Sequence, residues 1–247
     1  MLGSRKFTII LVLLFVLTAA KSIVTFTKSA SQSAKKEQHE TNADYRHQFP
    51  VVDYEAPEPA TADERAARRA KGARHDGRKL VSKDSSPRIS ESATFYEGPQ
   101  QQPVPSDQST IIIVGTVLDA RAFLSNDKEN VYSEFTFSID EVLKKQLPDS
   151  IVVSNTIVGN REGGIVRYIN GHERLYRVLG QGVPVLGKHY LVFLKAAPNG
   201  CDYDILTAYE LRESDVLPID YSKQFEQYKG FDKTTFLKAV RDALAKR

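Results

Sequence analysis

From Ser109 onward the apolar residues come in short runs separated by turn formers. IIIVGTVLDARAF (111–123) is mostly apolar and β-branched, and reads as a strand. VYSEFTFSIDEVL (131–143) alternates: Phe135, Phe137 and Ile139 share one face, and Glu134, Thr136, Ser138 and Asp140 the other. That period of two predicts a half-buried strand. Val142 breaks the parity, which fits a β-bulge. IVVSNTIVG (151–159) predicts a further strand. IVRYI (165–169) and RLYRVL (174–179) flank Asn170-Gly171, a strong hairpin signal. KHYLVFLK (188–195) and YDILTAYELRE (203–213) flank the turn formers Pro198-Asn199-Gly200. At least six strands with short connections predict an antiparallel barrel or sandwich.

The stretch GQGVPVLG (180–187) invites a second reading, as a phosphate-cradling loop. Such a loop needs G-x-G-x-x-G opening a helix, or Gly-Lys-Ser/Thr. Here the glycines fall at 180, 182 and 187, Lys188 is followed by His189, and a strand comes next. The turn reading stands: Pro184 presets φ and Gly187 permits a left-handed corner. Tyr190, Val192 and Leu194 then alternate with Leu191 and Phe193, so KHYLVFLK is apolar on both faces and predicts a central strand. In DKTTFLKAVRDALAKR, Phe236, Val240 and Leu244 recur at i, i+4, i+8 beside Leu237. Asp232 or Thr234 can cap this helix, whose stripe suits docking on the sheet.

The N-terminal third differs. Arg5 and Lys6 precede FTIILVLLFVLTAA (7–20), a positive flank before an apolar core. Cleavage after Ala20 gives a signal peptide; continuation through Phe26 gives about 20 residues, enough for a membrane anchor. Either way the positive flank stays inside and the remainder lies outside the cytoplasm. Residues 27–106 are poor in large apolar residues and read as a disordered linker. Within it, TADERAARRAKGAR (61–74) carries a Thr61–Glu64 capping box but no apolar face, predicting a solvated, marginal helix.

Charge is unevenly placed. Residues 64–83 hold eight Lys+Arg against two Asp+Glu, whereas residues 107–223 hold 12 against 16. The basic character belongs to the linker, where an electrostatic contact with anionic lipid or wall polymer is the functional alternative to a solvated spacer. The acidic domain argues against a nucleic-acid partner. The lone Cys201 excludes an intramolecular disulfide and a cysteine-rich zinc site.

The strand order, the run Glu141-Val142-Leu143-Lys144, the Gly163-Gly164 pair, and the spacing Pro184, Gly187, Tyr190, Phe193, Leu194 resemble the netrin-like and metalloproteinase-inhibitor-like OB-fold, in the form found in bacterial envelope proteins. The likeness covers residues 108–222. It implies a fold and carries no catalytic residues. The animal inhibitors of that family act through an N-terminal cysteine and disulfides, which this chain lacks.

The expected architecture is therefore mainly β. An antiparallel OB-like barrel (107–222) carries a C-terminal helix (223–247), and an N-terminal hydrophobic helix (1–26) and linker (27–106) precede it. No HExxH, GxSxG, CxxC or EF-hand pattern occurs, and no histidine pair stands at metal-ligand spacing. No catalytic residue, cofactor or metal is expected. His189 reads as a surface imidazole, and Asp202 and Asp204 as solvated turn residues rather than an acid/base pair. Arg161, Arg167, Tyr168, Arg174, Tyr176 and Arg177 gather around one predicted hairpin as a candidate polar binding face. The leading expectation is a monomeric, non-enzymatic binding module outside the cytoplasm, with an envelope protein or polymer as partner and the membrane engaged through the N-terminal segment. The alternatives are an envelope hydrolase using dispersed Asp, Glu and His, and a single-stranded nucleic-acid or polysaccharide binder.

Overall fold

The computed structural model describes residues 48–81, 91–96, 101–146, 156–197 and 202–245. The expected N-terminal segment (1–26) and Cys201 lie outside them. No helix among the described residues is long and apolar enough to cross a membrane.

The chain is mainly β with a C-terminal helix, as the pattern predicts. Near the N-terminus come strand β1 (Val51–Asp53), helix α1 (Ala62–Gly72) and β2 (Glu91–Tyr96). β3 (Ile111–Leu124), β4 (Val131–Ser138), β5 (Glu141–Lys145) and β6 (Thr156–Glu162) follow. The hairpin is β7 (Gly164–Arg167) and β8 (Glu173–Val178), with Gly171 at φ 78°. β9 (His189–Ala196), β10 (Tyr203–Leu211), β11 (Asp215–Pro218), β12 (Phe231–Asp232) and helix α2 (Lys233–Ala245) complete the fold.

Five strands form a circuit of pairings. β3 pairs antiparallel with β4, β4 with β6, β10 with β9, and β9 with β3. The link between β6 and β10 is parallel and spans two register pairs, Tyr203↔Gly159 and Asp204↔Asn160. A Cβ on Gly159 would sit 2.7 Å from Ile205 Cγ1, so glycine permits this approach. The sheets do not make a clean barrel, for three reasons. The β6–β10 link is short, β5, β11 and β12 extend the circuit's sheet outward, and β7 and β8 leave it for a separate four-stranded sheet ordered β1-β7-β8-β2. Both outer pairings of that second sheet are parallel, β1 with β7 and β2 with β8, where the sequence pattern predicts antiparallel connections only.

The parity break at Val142 takes another form than a bulge within one strand. The backbone leaves the ladder at Ile139 and Asp140 and re-pairs as β5, with a register shift between Ile112 and Ile113. β3 is thus paired by β4 along its second half and by β5 and β9 along its first.

Strand β9 is central, as its two apolar faces predict. Tyr190, Val192 and Leu194 join Ile111, Ile113, Phe135 and Phe137 in one core. Leu191 and Phe193 face the other way, with Tyr209, Phe225, Phe236 and Val240. α2 supplies the last two residues. Asp232 caps it by accepting from the Thr235 amide at 2.7 Å, and the Phe236 ring lies 4.6 Å from that of Tyr209.

The reading of 27–106 as linker differs from the structure over residues 48–81. β1 extends the second sheet, and Phe49, Val52 and Val81 are buried. The apolar residues here are too few and too scattered to show a period, so their burial leaves no pattern in the sequence.

Candidate functional site

Helix α1 forms where the capping box predicts. The Thr61 hydroxyl accepts from the Glu64 amide at 3.2 Å. It is not a solvated helix, because its cations dock on carboxylates of the sheet. Arg68 reaches Glu134 of β4 at 2.6 Å and lies 3.4 Å above the Phe123 ring. Lys71 contacts Glu134 at 3.3 Å and Asp202 at 3.0 Å. Arg74 pairs with Asp204 at 2.6 Å. His75 is buried, stacks on Tyr132 at 3.9 Å between centroids, and meets Glu162 at 2.8 Å through Nδ1. Arg78 reaches the same carboxylate at 3.3 Å.

These contacts set the local protonation. Burial pushes the Glu162 carboxyl up, but His75, Arg78 and the Asn130 amide outweigh it and hold the group below the ordinary carboxylate range. The ionised carboxylate can only accept, so His75 Nδ1 carries the proton. The Nε2 of a neutral ring is then an acceptor. Burial pushes the Tyr132 phenol beneath this imidazole up to about 12.

A cleft of about 750 Å³ opens at the seam where β6 and β10 stop pairing. Arg74, His75 and Arg78 wall it on one side and Asn160, Arg161 and Glu162 on the other, with Lys195, Asp204, Ile205 and Leu206 between. Arg161 is buried and donates through Nη2 to Asp220 at 2.5 Å, while Asp220 also accepts from the Gly182 amide at 3.2 Å. Arg161 Nε and Nη1, Arg74 Nη1, His75 Nε2 and both polar atoms of the Asn160 side chain are buried and meet no hydrogen-bond partner among the described residues. Buried polar groups are nearly always satisfied, so this concentration in one cleft stands out.

Comparison of the chain with known protein families and with characterised proteins finds no match. The chemistry of the cleft has to be read from its own residues. It offers fixed hydrogen-bond donors and acceptors to a ligand of small-molecule size.

The six residues expected as a binding face do not form one exposed surface. Tyr168 and Tyr176 are buried, with their hydroxyls 2.8 Å apart. Arg177 is buried with its guanidinium 5.3 Å from the Tyr221 ring centroid. Arg161 turns into the seam. Only Arg167 lies exposed, paired with Glu173 at 2.9 Å and Asp53 at 3.5 Å, while Arg174 is half-buried. The reason is that β8 is flanked by strands on both edges and covered on both faces, which its alternation does not reveal. Asp202 and Asp204 are likewise ion-paired rather than solvated, and the Asp202 side chain is 1 % exposed. His189 remains half-exposed at its strand start, 3.1 Å from Asp140. Among the described residues no group of three or more His, Cys, Asp or Glu could hold a metal ion. Arg74, His75 and Arg78 were not among the expected site residues. One signal for them exists: Arg68, Lys71, His75 and Arg78 follow the i, i+3, i+7, i+10 spacing of one helical face.

Proposed function

We propose that the chain is an extracytoplasmic binding module of the OB-like, netrin-like type, held at the cell envelope by its N-terminal segment and acting without catalysis. Its ligand sits in the seam cleft. The carrying observation is the cluster of buried, unpartnered donors and acceptors at Asn160, Arg161, Arg74 and His75. The OB-like reading draws support from the circuit β3–β4–β6–β10–β9, with its single parallel link and its ligand-sized opening beside that link. OB barrels bind along strand faces and the loops beside them. The envelope address rests on the charge and hydropathy of residues 1–26.

Amide NMR of the full chain, titrated with a panel of neutral and charged oligosaccharides, short peptides and oligonucleotides, tests the reading. Saturable shifts confined to residues 160–162, 181 and 204–206 are expected for at least one panel member. Shifts elsewhere, or none, sink it. Turnover of a panel member would put the hydrolase alternative in its place.

A further inference from the structure

The seam cleft is asymmetric in what it asks of a ligand, and this names a ligand class. The inference rests on the cleft being the binding site. At its inner end Arg161 Nη2 is engaged by Asp220, which leaves Nε and Nη1 of the same rigid guanidinium free and buried. Across the cleft Arg74 Nη2 holds Asp204, and its Nη1 is free. Lys195 lines the same space with its side chain exposed. The lining carries Arg74, Arg78, Arg161 and Lys195 against Glu162 and Asp204, and Asp220 behind Arg161 still leaves cations in excess. Guanidinium groups with adjacent free N–H groups match the two oxygens of a carboxylate or a phosphoryl group.

The remaining free groups ask for something else. His75 Nε2 is an acceptor while Nδ1–H is given to Glu162, and the Asn160 carboxamide offers both a donor and an acceptor. Hydroxyl groups satisfy such a pair, since each both donates and accepts. Val178, Ile205 and Leu206 supply the apolar wall against which a carbon ring or chain can rest.

We infer that the seam cleft binds a hydroxylated organic anion, a carboxylated or phosphorylated sugar or glycerol unit, with the anionic group on Arg161 and Arg74 and the hydroxyls on His75 and Asn160.

Titration calorimetry of the full chain with glucuronate, glycerol 1-phosphate, acetate, inorganic phosphate and glucose, at matched ionic strength, tests this. Glucuronate or glycerol 1-phosphate is expected to bind saturably and at least ten-fold more tightly than the corresponding simple anion and than glucose. Which of the two does so separates a carboxylate from a phosphoryl source. Arg74→Gln should weaken that binding about ten-fold. Arg161→Gln alone leaves Asp220 buried without its partner and endangers folding, so the deciding variant is Arg161→Gln with Asp220→Asn, which removes both charges and keeps the oxygen facing Gly182. Binding should be lost in that variant, with folding checked by its melting transition. Absence of saturable binding by both hydroxylated anions overturns the assignment, as does binding unchanged in the double variant, or glucose binding as tightly as glucuronate. If the anions fail while a neutral panel member shifts the seam residues by NMR, the anion assignment falls and the binding-module reading stands.

Discussion

Gly187 and Phe193 show what individual positions contribute. Gly187 has φ 76° with open space around the position a Cβ would take, so a substitution there meets backbone strain and no clash. Gly187→Val should cost roughly 1–3 kcal/mol. Phe193 is fully buried between strands and α2, and Phe193→Ala should cost about 3–5 kcal/mol through lost burial and the cavity left behind. Lys188 is 55 % exposed and 3.5 Å from Glu210, and an exposed pair of this kind contributes at most about 1 kcal/mol. Thermal melts of the three variants should therefore rank Phe193→Ala lowest, then Gly187→Val, with Lys188→Ala close to the parent. A large loss for Lys188→Ala would show that the turn uses its ammonium in a way the geometry does not reveal. At these positions the residue types are informative without coordinates, because a left-handed corner and a two-faced apolar strand each restrict the choice of side chain.

Among the elements, α1 is the one attached by charge. Its cations meet Glu134, Asp202, Asp204 and Glu162, and within the helix itself only Gly72 is buried. The Glu162 carboxyl is held below its ordinary range in the folded chain. A depressed carboxylate contributes stability that is present above its unfolded value, near 4.3, and is lost as pH falls through the folded value. The stretch carrying α1 and His75 should therefore stay docked at neutral pH and loosen below about pH 4. Amide exchange of residues 62–75, corrected for intrinsic rates, should speed up there before that of β9 does. Equal protection of the two segments down to global unfolding would refute a separate release. The helix is legible from Thr61 and Glu64, whose spacing encodes a cap. Its docking is not, because complementary charge fixes no partner. The acidic surplus of 107–223 and the basic run 64–83 match in sign, yet only the fold brings Asp202 beside Lys71.

For the molecule as a whole, residues 48–81 belong to the folded body. Val52 and Val81 join Ala122, Val131, Val166, Tyr168 and Tyr176 in one apolar cluster, and His75 covers Tyr132. A chain lacking residues 1–81 should keep its β signal in circular dichroism but melt at a lower temperature than the full chain. An unchanged melt would mean that this segment rests on the surface without contributing. The strands of 107–222 are readable because each carries its own period of two, and α2 because Phe236, Val240 and Leu244 lie on one stripe. The division into two sheets is not readable. Gly163-Gly164 marks a turn, but parallel pairings such as β1 with β7 join segments over a hundred residues apart and leave no local trace. The seam cleft is hidden for the same reason, since its walls come from three distant parts of the chain.

The charged docking of α1 has a calorimetric consequence. The heat capacity of unfolding comes mainly from apolar surface newly exposed to water, and exposing polar surface lowers it. Release of α1 uncovers ion pairs and little hydrocarbon, so its heat-capacity change should be close to zero. Its docking free energy then runs nearly straight with temperature, while that of the sheet core follows a dome. Urea, whose effect scales with the surface exposed, should pull weakly on the helix and strongly on the sheet. Cold would favour neither release of the helix nor any change in its slope, so cooling alone should leave α1 in place while the core beneath it passes its stability maximum.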